Sequence, residues 1–163
     1  MKSITKEELY ARLQDHSLNV TGKVRKDNIG TLNELAIEQI EVQDIILYSL
    51  QAIDASFSQC SFHNVDFYGS HFSDATLVDC SVIDCIFRKS ELFRVHLKNC
   101  RFVNCDFSST DFMDATLENC TFENCNFNAA LFTDNKISNT TFKNTDISSA
   151  VIEDNEEQNV IWE

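Results

Sequence analysis

Along most of the chain a large apolar residue returns at every fifth position, with a small residue two places before it and polar residues between. The beat runs without a gap from Phe57 through Phe62, Phe67, Phe72, Leu77 and Val82 to Ile147 and Ile152. An α-helix repeats its face about every 3.6 residues and a strand about every 2, so neither alone accounts for five. A short extended step followed by a corner does. The large residue, here called the centre, and the small residue two before it then point into one interior, while the other three positions face water. Upstream the beat persists more weakly through Leu32, Ile37, Val42, Leu47 and Ala52, with Leu35, Ile40, Ile45 and Leu50 at the small position.

A second period of twenty overlies the first. Blocks such as VHLKNCRFVNCDFSSTDFMD and ATLENCTFENCNFNAALFTD follow one another from Ala55 to Asp154, and all seven cysteines lie two residues before a centre. Cys60, Cys80, Cys100 and Cys120 share one phase of the longer period; Cys85, Cys105 and Cys125 share another. Four pentads therefore complete one coil, and the chain is expected to be all-β: a four-sided parallel solenoid whose coils stack about 4.8 Å apart. About six coils give a rod about 30 Å long. With three glycines and no proline in the chain, the corners fall to Asn, Asp, Ser and Thr, whose short side chains hydrogen-bond neighbouring backbone.

The ends need covers, because an open solenoid end is an unpaired edge. Thr5-Lys6-Glu7-Glu8 reads as a capping box, with Ile4 and Leu9 as a hydrophobic staple, which predicts a helix from about Lys6 to Asp15 over the first coil. The expected organisation is residues 1–30 as N-terminal helix and cap, 31–154 as solenoid and 155–163 as C-terminal tail or cap. The beat stops at Ile152, and the tail ends in Val160, Ile161 and Trp162. These apolar residues are expected to cover the last coil or to join two rods end to end, as a homodimer contact. Polar residues at the last interior positions, Asn135, Thr140 and Thr145, predict fraying over residues 135–163.

The pentads CTFEN, CRFVN, ATLEN and TDFMD carry a resemblance to the pentapeptide-repeat family, over about three quarters of the chain. The resemblance implies a right-handed quadrilateral parallel β-helix. Members of the quinolone-resistance type resemble a DNA duplex in shape and charge and bind DNA gyrase or topoisomerase IV, so likeness to them implies a DNA-mimicking modulator of those enzymes.

Charge narrows the candidate partners. Lys and Arg number 13 against 26 acids, a net charge of −13, so nucleic acid and anionic membrane are repelled and a basic or DNA-binding protein is attracted. No stretch reads as a signal peptide or membrane span, and the cytoplasm is the expected compartment. The seven thiols read as reduced, buried small hydrophobes and not as zinc ligands, since they form inward columns and not a converging set. No catalytic pair, cofactor loop or metal site is expected.

The excess charge gathers on one side of the coil. The side centred on Phe72, Leu92, Phe112, Phe132 and Ile152 carries Asp74, Glu91, Asp111, Asp114, Asp134, Glu153 and Asp154 against Arg94 alone. Its outer corner reads Glu34, Asp54, Asp74, Arg94, Asp114, Asp134, Asp154. Beside it Phe93, Met113, Leu131 and Val151 are expected to form an outward apolar patch. Apolar residues next to focused charge suit a protein-binding surface. The competing explanation is that Asp is simply a good corner residue, with Arg94 stitching Asp74 to Asp114; its weakness is that stacked carboxylates repel while other corners use Asn.

Overall fold

Each pentad forms one side of a square coil, and residues twenty apart sit in register on adjacent rungs, as in the parallel pairing of Thr76 with His96 and Leu77 with Leu97. The computed structural model describes residues 1–23 and 31–163; the remainder of the expected 1–30 cap, residues 24–30, lies outside the described residues. The first face, centred on Phe57, is an eight-stranded parallel sheet and the second, centred on Phe62, a seven-stranded one. On the fourth face, centred on Phe72, three strands form a sheet: Asp111–Met113, Leu131–Thr133 and Val151–Glu153. Single bridges such as Asp66 to Ile86 and His71 to Glu91 join the third face and the earlier rungs of the fourth.

The corner has a definite backbone cause. The second residue after nearly every centre is left-handed, as at Asn64 (φ 52°), Asn104 (φ 54°), Asp114 (φ 54°) and Asp134 (φ 58°). That region is costly for most side chains and least so for Gly, Asn and Asp. On the first two faces these corners also form ladders. Asn99 donates to Asp79 at 2.9 Å and Asn119 to Asn99 at 3.2 Å; Asn104 donates to Asp84 at 2.9 Å and Asn124 to Asn104 at 3.3 Å.

Inside, the centres stack ring on ring. Phe67, Phe87, Phe107 and Phe127 lie 5.0 Å apart in sequence along the third face. On the second face Phe102, Phe122, Phe142 and Trp162 follow at 4.7, 4.9 and 3.9 Å, nearly parallel.

The capping box is formed at Thr5 and Glu8, but the helix it starts, α1, runs Lys6–Val20, past the expected stop at Asp15. Leu9, Leu13 and His16 are buried against the first coil, and His16 Nε2 meets the Tyr48 carbonyl at 2.8 Å, which holds the added turn down. The Tyr10 hydroxyl donates to the Glu41 carbonyl at 2.8 Å and accepts from the Glu41 N–H at 3.3 Å, so a helix side chain satisfies edge groups of the first coil. Lys2 and Ser3 add a short strand beside Leu35 and Ala36.

Residues 155–163 are not a separate tail. Lys136 pairs with Glu156 and Phe142 with Trp162, so the coil geometry continues with Glu157 and Trp162 at centre positions. The apolar beat lapses at Glu157, but backbone bonds keep the register: Glu156 N–H to Asn135 O at 2.8 Å and Ile161 N–H to Thr140 O at 3.0 Å. Trp162 reaches the last core layer by stacking on Phe142.

The expected fraying also shifts. Asn135 and Thr140 are fully buried and bridge coils: Asn135 Oδ1 accepts the Ala115 N–H at 2.8 Å, and Thr140 Oγ1 accepts the Cys120 N–H at 3.2 Å. The loosened segment starts later, where Thr145, Ala150, Ile152, Asn155 and Val160 are only half buried and Ile147 is exposed. Hydrogen exchange followed by mass spectrometry should be fastest in residues 145–163, with 135–144 as protected as the middle of the rod; equal protection of both segments would contradict this.

Candidate protein-interaction surface

The thiols are the first chemistry to place. All seven are free and buried, in the two columns the sequence spacing requires. Each also has a polar role that the sequence reading missed. Ser70 Oγ donates to the Leu47 carbonyl at 3.0 Å and accepts from the Leu50 N–H at 3.0 Å, tying adjacent coils. Cysteine Sγ takes the same place: Cys100 donates toward the Leu77 carbonyl at 3.3 Å and Cys120 toward the Leu97 carbonyl at 3.5 Å. The interchange of Cys with Ser and Thr at this position was the available signal.

Burial pushes the Cys85 thiol up to about 11 from a usual value near 9.0. Cys80 and Cys100 rise to about 12, first through the next thiol of the column and then through burial. The contact works in reverse on Cys120, which the hydrogen bond with Cys100 lowers. Among the described residues, no group of three or more His, Cys, Asp or Glu side chains is placed to hold a metal ion.

Replacing Cys100 or Cys120 with Ala should cost roughly 1–2 kcal/mol each in chemical denaturation, with Leu at Cys120 worse and Ser at Cys100 milder, because Ser keeps the donor. The raised thiols also give a pH signature. A folded value above the unfolded one leaves stability intact below about pH 9 and erodes it as pH climbs toward 12. Alkaline unfolding should therefore begin later in the Cys80→Ser, Cys100→Ser variant than in the parent; identical alkaline midpoints would refute the assignment.

On the fourth face the acid column stands as a line of left-handed corners: Glu34, Asp54, Asp74, Arg94, Asp114, Asp134 and Asp154, with φ between 53° and 60°. The corner backbone explains Asp or Asn equally well. It does not explain charge, since the same corner on the first two faces carries the amide ladders. Glu34, Asp54, Asp114, Asp134 and Asp154 are exposed, whereas Asp74 is not fully so.

Arg94 divides this column. Its Nε and NH2 groups grip the two Asp74 oxygens at 2.6 Å each, and its guanidinium lies 4.0 Å over the Phe93 ring. Arg94 thus stitches to Asp74 and makes no ion pair with Asp114. That pair holds the Asp74 carboxyl below the usual carboxylate range. Phe93, expected as part of an open patch, is half buried under Arg94, and Met113 is half buried too. Between the same two rungs, His71 Nδ1 and Glu91 Oε2 meet at 2.8 Å. On the N-terminal half of the face Asp74 is therefore neutralised by Arg94, while Glu34 and Asp54 stay exposed.

The C-terminal half is different. Asp111, Asp114, Asp134, Glu153 and Asp154 make no ion pair among the described residues, and no Lys or Arg lies on this half of the face. Asp111 Oδ1 is enclosed without a hydrogen-bond partner. Burial, and then the charges of Glu91 and Asp114, hold its carboxyl above the usual range; a cation arriving beside it would relieve the repulsion. Leu131 and Val151 stand beside these acids, 41% and 40% exposed.

Square coil, helix-capped end and stacked interior together define a β-solenoid repeat protein. Two family models match it: a pentapeptide repeat region over residues 75–152, and pentapeptide repeats in eight copies over residues 53–88. The chain belongs to the pentapeptide-repeat family. No curated protein matches it. Among solved structures it is similar to a trypsin-treated variant of QnrB1, a plasmid-mediated fluoroquinolone resistance protein, with a TM-score of 0.57 and 16% identity, covering 85% of this chain and 88% of that one. It is also similar to HetL, a pentapeptide repeat protein involved in heterocyst differentiation regulation from the cyanobacterium Nostoc sp. strain PCC 7120, with a TM-score of 0.50 and 14% identity over 79% of this chain and 70% of that one. At these identities the likeness is one of fold. Among the described residues no helix is long and apolar enough to cross a membrane.

Proposed function

We propose that the chain is a non-enzymatic cytoplasmic interaction module that binds a basic protein through the acidic fourth face. The observation that supports this most directly is the unneutralised half-face: Asp114, Asp134 and Asp154 stacked without a partner cation beside exposed Leu131 and Val151. Stacked like charges about 4.8 Å apart are destabilising in the free protein, and a basic partner converts that repulsion into attraction. Fluorescence anisotropy with a labelled lysine-rich peptide tests the reading. Affinity should fall as salt rises, because exposed charges are screened beyond a Debye length of about 8 Å at physiological ionic strength; absence of binding at low salt would overturn it.

A second reading is a DNA-mimicking modulator of DNA gyrase or topoisomerase IV, favoured by the rod with its acid column and by the fold likeness to QnrB1. Phosphates step along one DNA strand about every 3.4 Å of axis, whereas these carboxylates stack about 4.8 Å apart and are interrupted at Arg94, so the charge match is partial. In this reading purified protein alters gyrase supercoiling and duplex DNA competes for its binding site; simultaneous binding of both removes the reading.

A homodimer contact at the C-terminal end is part of the same proposal, supported by Ile161, which is 53% exposed, beside the half-buried Trp162. Light scattering should then show a mass that halves when the chain is cut after Asn155, and an unchanged protomer number would exclude the contact.

A further inference from the structure

We infer that the occupant of the acidic half-face is a basic amphipathic α-helix lying along the rod axis. This inference rests on the proposed function and specifies the partner's chemistry and orientation. It comes from three features of the same surface.

The first is spacing. Asp114, Asp134 and Asp154 occupy successive rungs, fixed by the in-register pairing of Asp111–Met113 with Leu131–Thr133 and of that strand with Val151–Glu153. Two rung intervals span about 9.6 Å, and two turns of α-helix about 10.8 Å. A mismatch of about 1 Å over the whole stack is well within the reach of flexible Lys or Arg side chains. Basic residues at i, i+4 and i+7 of a helix laid parallel to the axis therefore each meet one carboxylate. An extended segment laid the same way steps about 3.3 Å per residue, with alternate side chains turned away, and meets the stack less evenly.

The second is the apolar line beside the acids. Leu131 and Val151 are directly paired across the rungs and exposed, and they lie on the side of their centres opposite to the acid corner. The strip is thus acidic along one edge and, on its last two rungs, apolar along the other, where Asp111 holds the first rung. A helix with a basic stripe and a neighbouring apolar stripe has the complementary pattern at the same axial repeat.

The third is the fixed boundary. The corner N–H groups are already spent on the next rung, as in Asp114 N–H to Thr133 O at 3.2 Å and Asp134 N–H to Glu153 O at 3.3 Å, so the carboxylates project from a hydrogen-bonded frame. Arg94, locked on Asp74 and Phe93, ends the strip toward the N-terminus and repels a cation there. Three rungs remain, which sets the contact at two to three helical turns and makes the interaction a weak, reversible one.

The test uses the full chain and two designed peptides of identical composition. The first carries Lys at i, i+4, i+7 and i+11 with Leu along the adjacent stripe, and two terminal prolines; the second moves those prolines to the centre, where they prevent helix formation. Titration calorimetry should show the helical peptide binding at least tenfold more tightly, with its helicity by circular dichroism rising on addition of the protein. Leu131→Ser with Val151→Ser should erase that margin and leave the weaker peptide's affinity unchanged. Equal affinity for both peptides, lost together in Asp114→Lys with Asp134→Lys, would overturn the helix inference while the acidic surface stands as a binder of basic segments. Binding of neither peptide would overturn both.

Discussion

Reversing Asp114 and Asp134 to Lys is expected to abolish binding of a basic partner, a loss of at least a hundredfold, while the rod stays folded. The corner backbone permits the exchange, since Lys89 and Arg94 already occupy equivalent left-handed corners at φ 57° and 53°. Both aspartates are exposed and neither holds an ion pair, so nothing internal is lost. The control is Glu118→Lys with Glu123→Lys, which changes net charge equally at a similar height on the first two faces. These two glutamates pair with Lys98 at 3.1 Å and Arg101 at 3.3 Å. Such surface pairs are worth about 0–1 kcal/mol, so the control should remain folded and keep most of its affinity. Anisotropy with the lysine-rich peptide decides the matter: equal losses in both variants would show that net charge alone governs binding, and no loss in either would leave Asp as a corner residue and nothing more.

The largest effect on stability is expected at Phe122. Its ring is fully buried, stacked on Phe102 at 4.7 Å and Phe142 at 4.9 Å and edge-on to Phe127 at 5.6 Å. Truncation to Ala removes the ring and leaves a cavity that rigid backbone rungs cannot close, at a cost of about 3–5 kcal/mol. For a chain of this size that corresponds to a fall in Tm of roughly 6–20 °C. Because each coil touches only its neighbours, the cavity should also weaken the coupling between the coils on either side. Urea unfolding of Phe122→Ala should broaden into two steps, whereas Ile147→Ala, at an exposed centre, should shift the midpoint little. A single sharp transition at the parent's midpoint in Phe122→Ala would refute this account.

The fold was legible because its side-chain rule is strict. A centre must be large and apolar and its partner two before must be small, so Phe102, Phe122 and Phe142 and the cysteines reveal the period directly. What escaped the sequence was carried by backbone or by pairs of residues. Glu157 occupies a centre without the residue type that marks one, because the last coil is held by hydrogen bonds to Asn135 and Thr140 and buries little there. The extra turn of α1 depends on His16 meeting a carbonyl thirty-two residues away. On the fourth face the acids could be read one by one from the chain, as could Leu131 and Val151. The covering of Phe93 could not, since it depends on which of two neighbouring aspartates Arg94 chooses.

The square coil also makes residue number a measure of angle. Each pentad turns the chain by a quarter of a revolution, so an insertion of twenty residues between coils lengthens the rod by one rung of about 4.8 Å and leaves every downstream face in phase. An insertion of five preserves the interior just as well, yet rotates everything after it onto the next face. Placed between Arg94 and Val95, it would carry Asp114, Asp134 and Asp154 around the corner, away from Glu34 and Asp54. Selection for packing alone cannot tell these two insertions apart; selection for a partner that reads one side of the rod can.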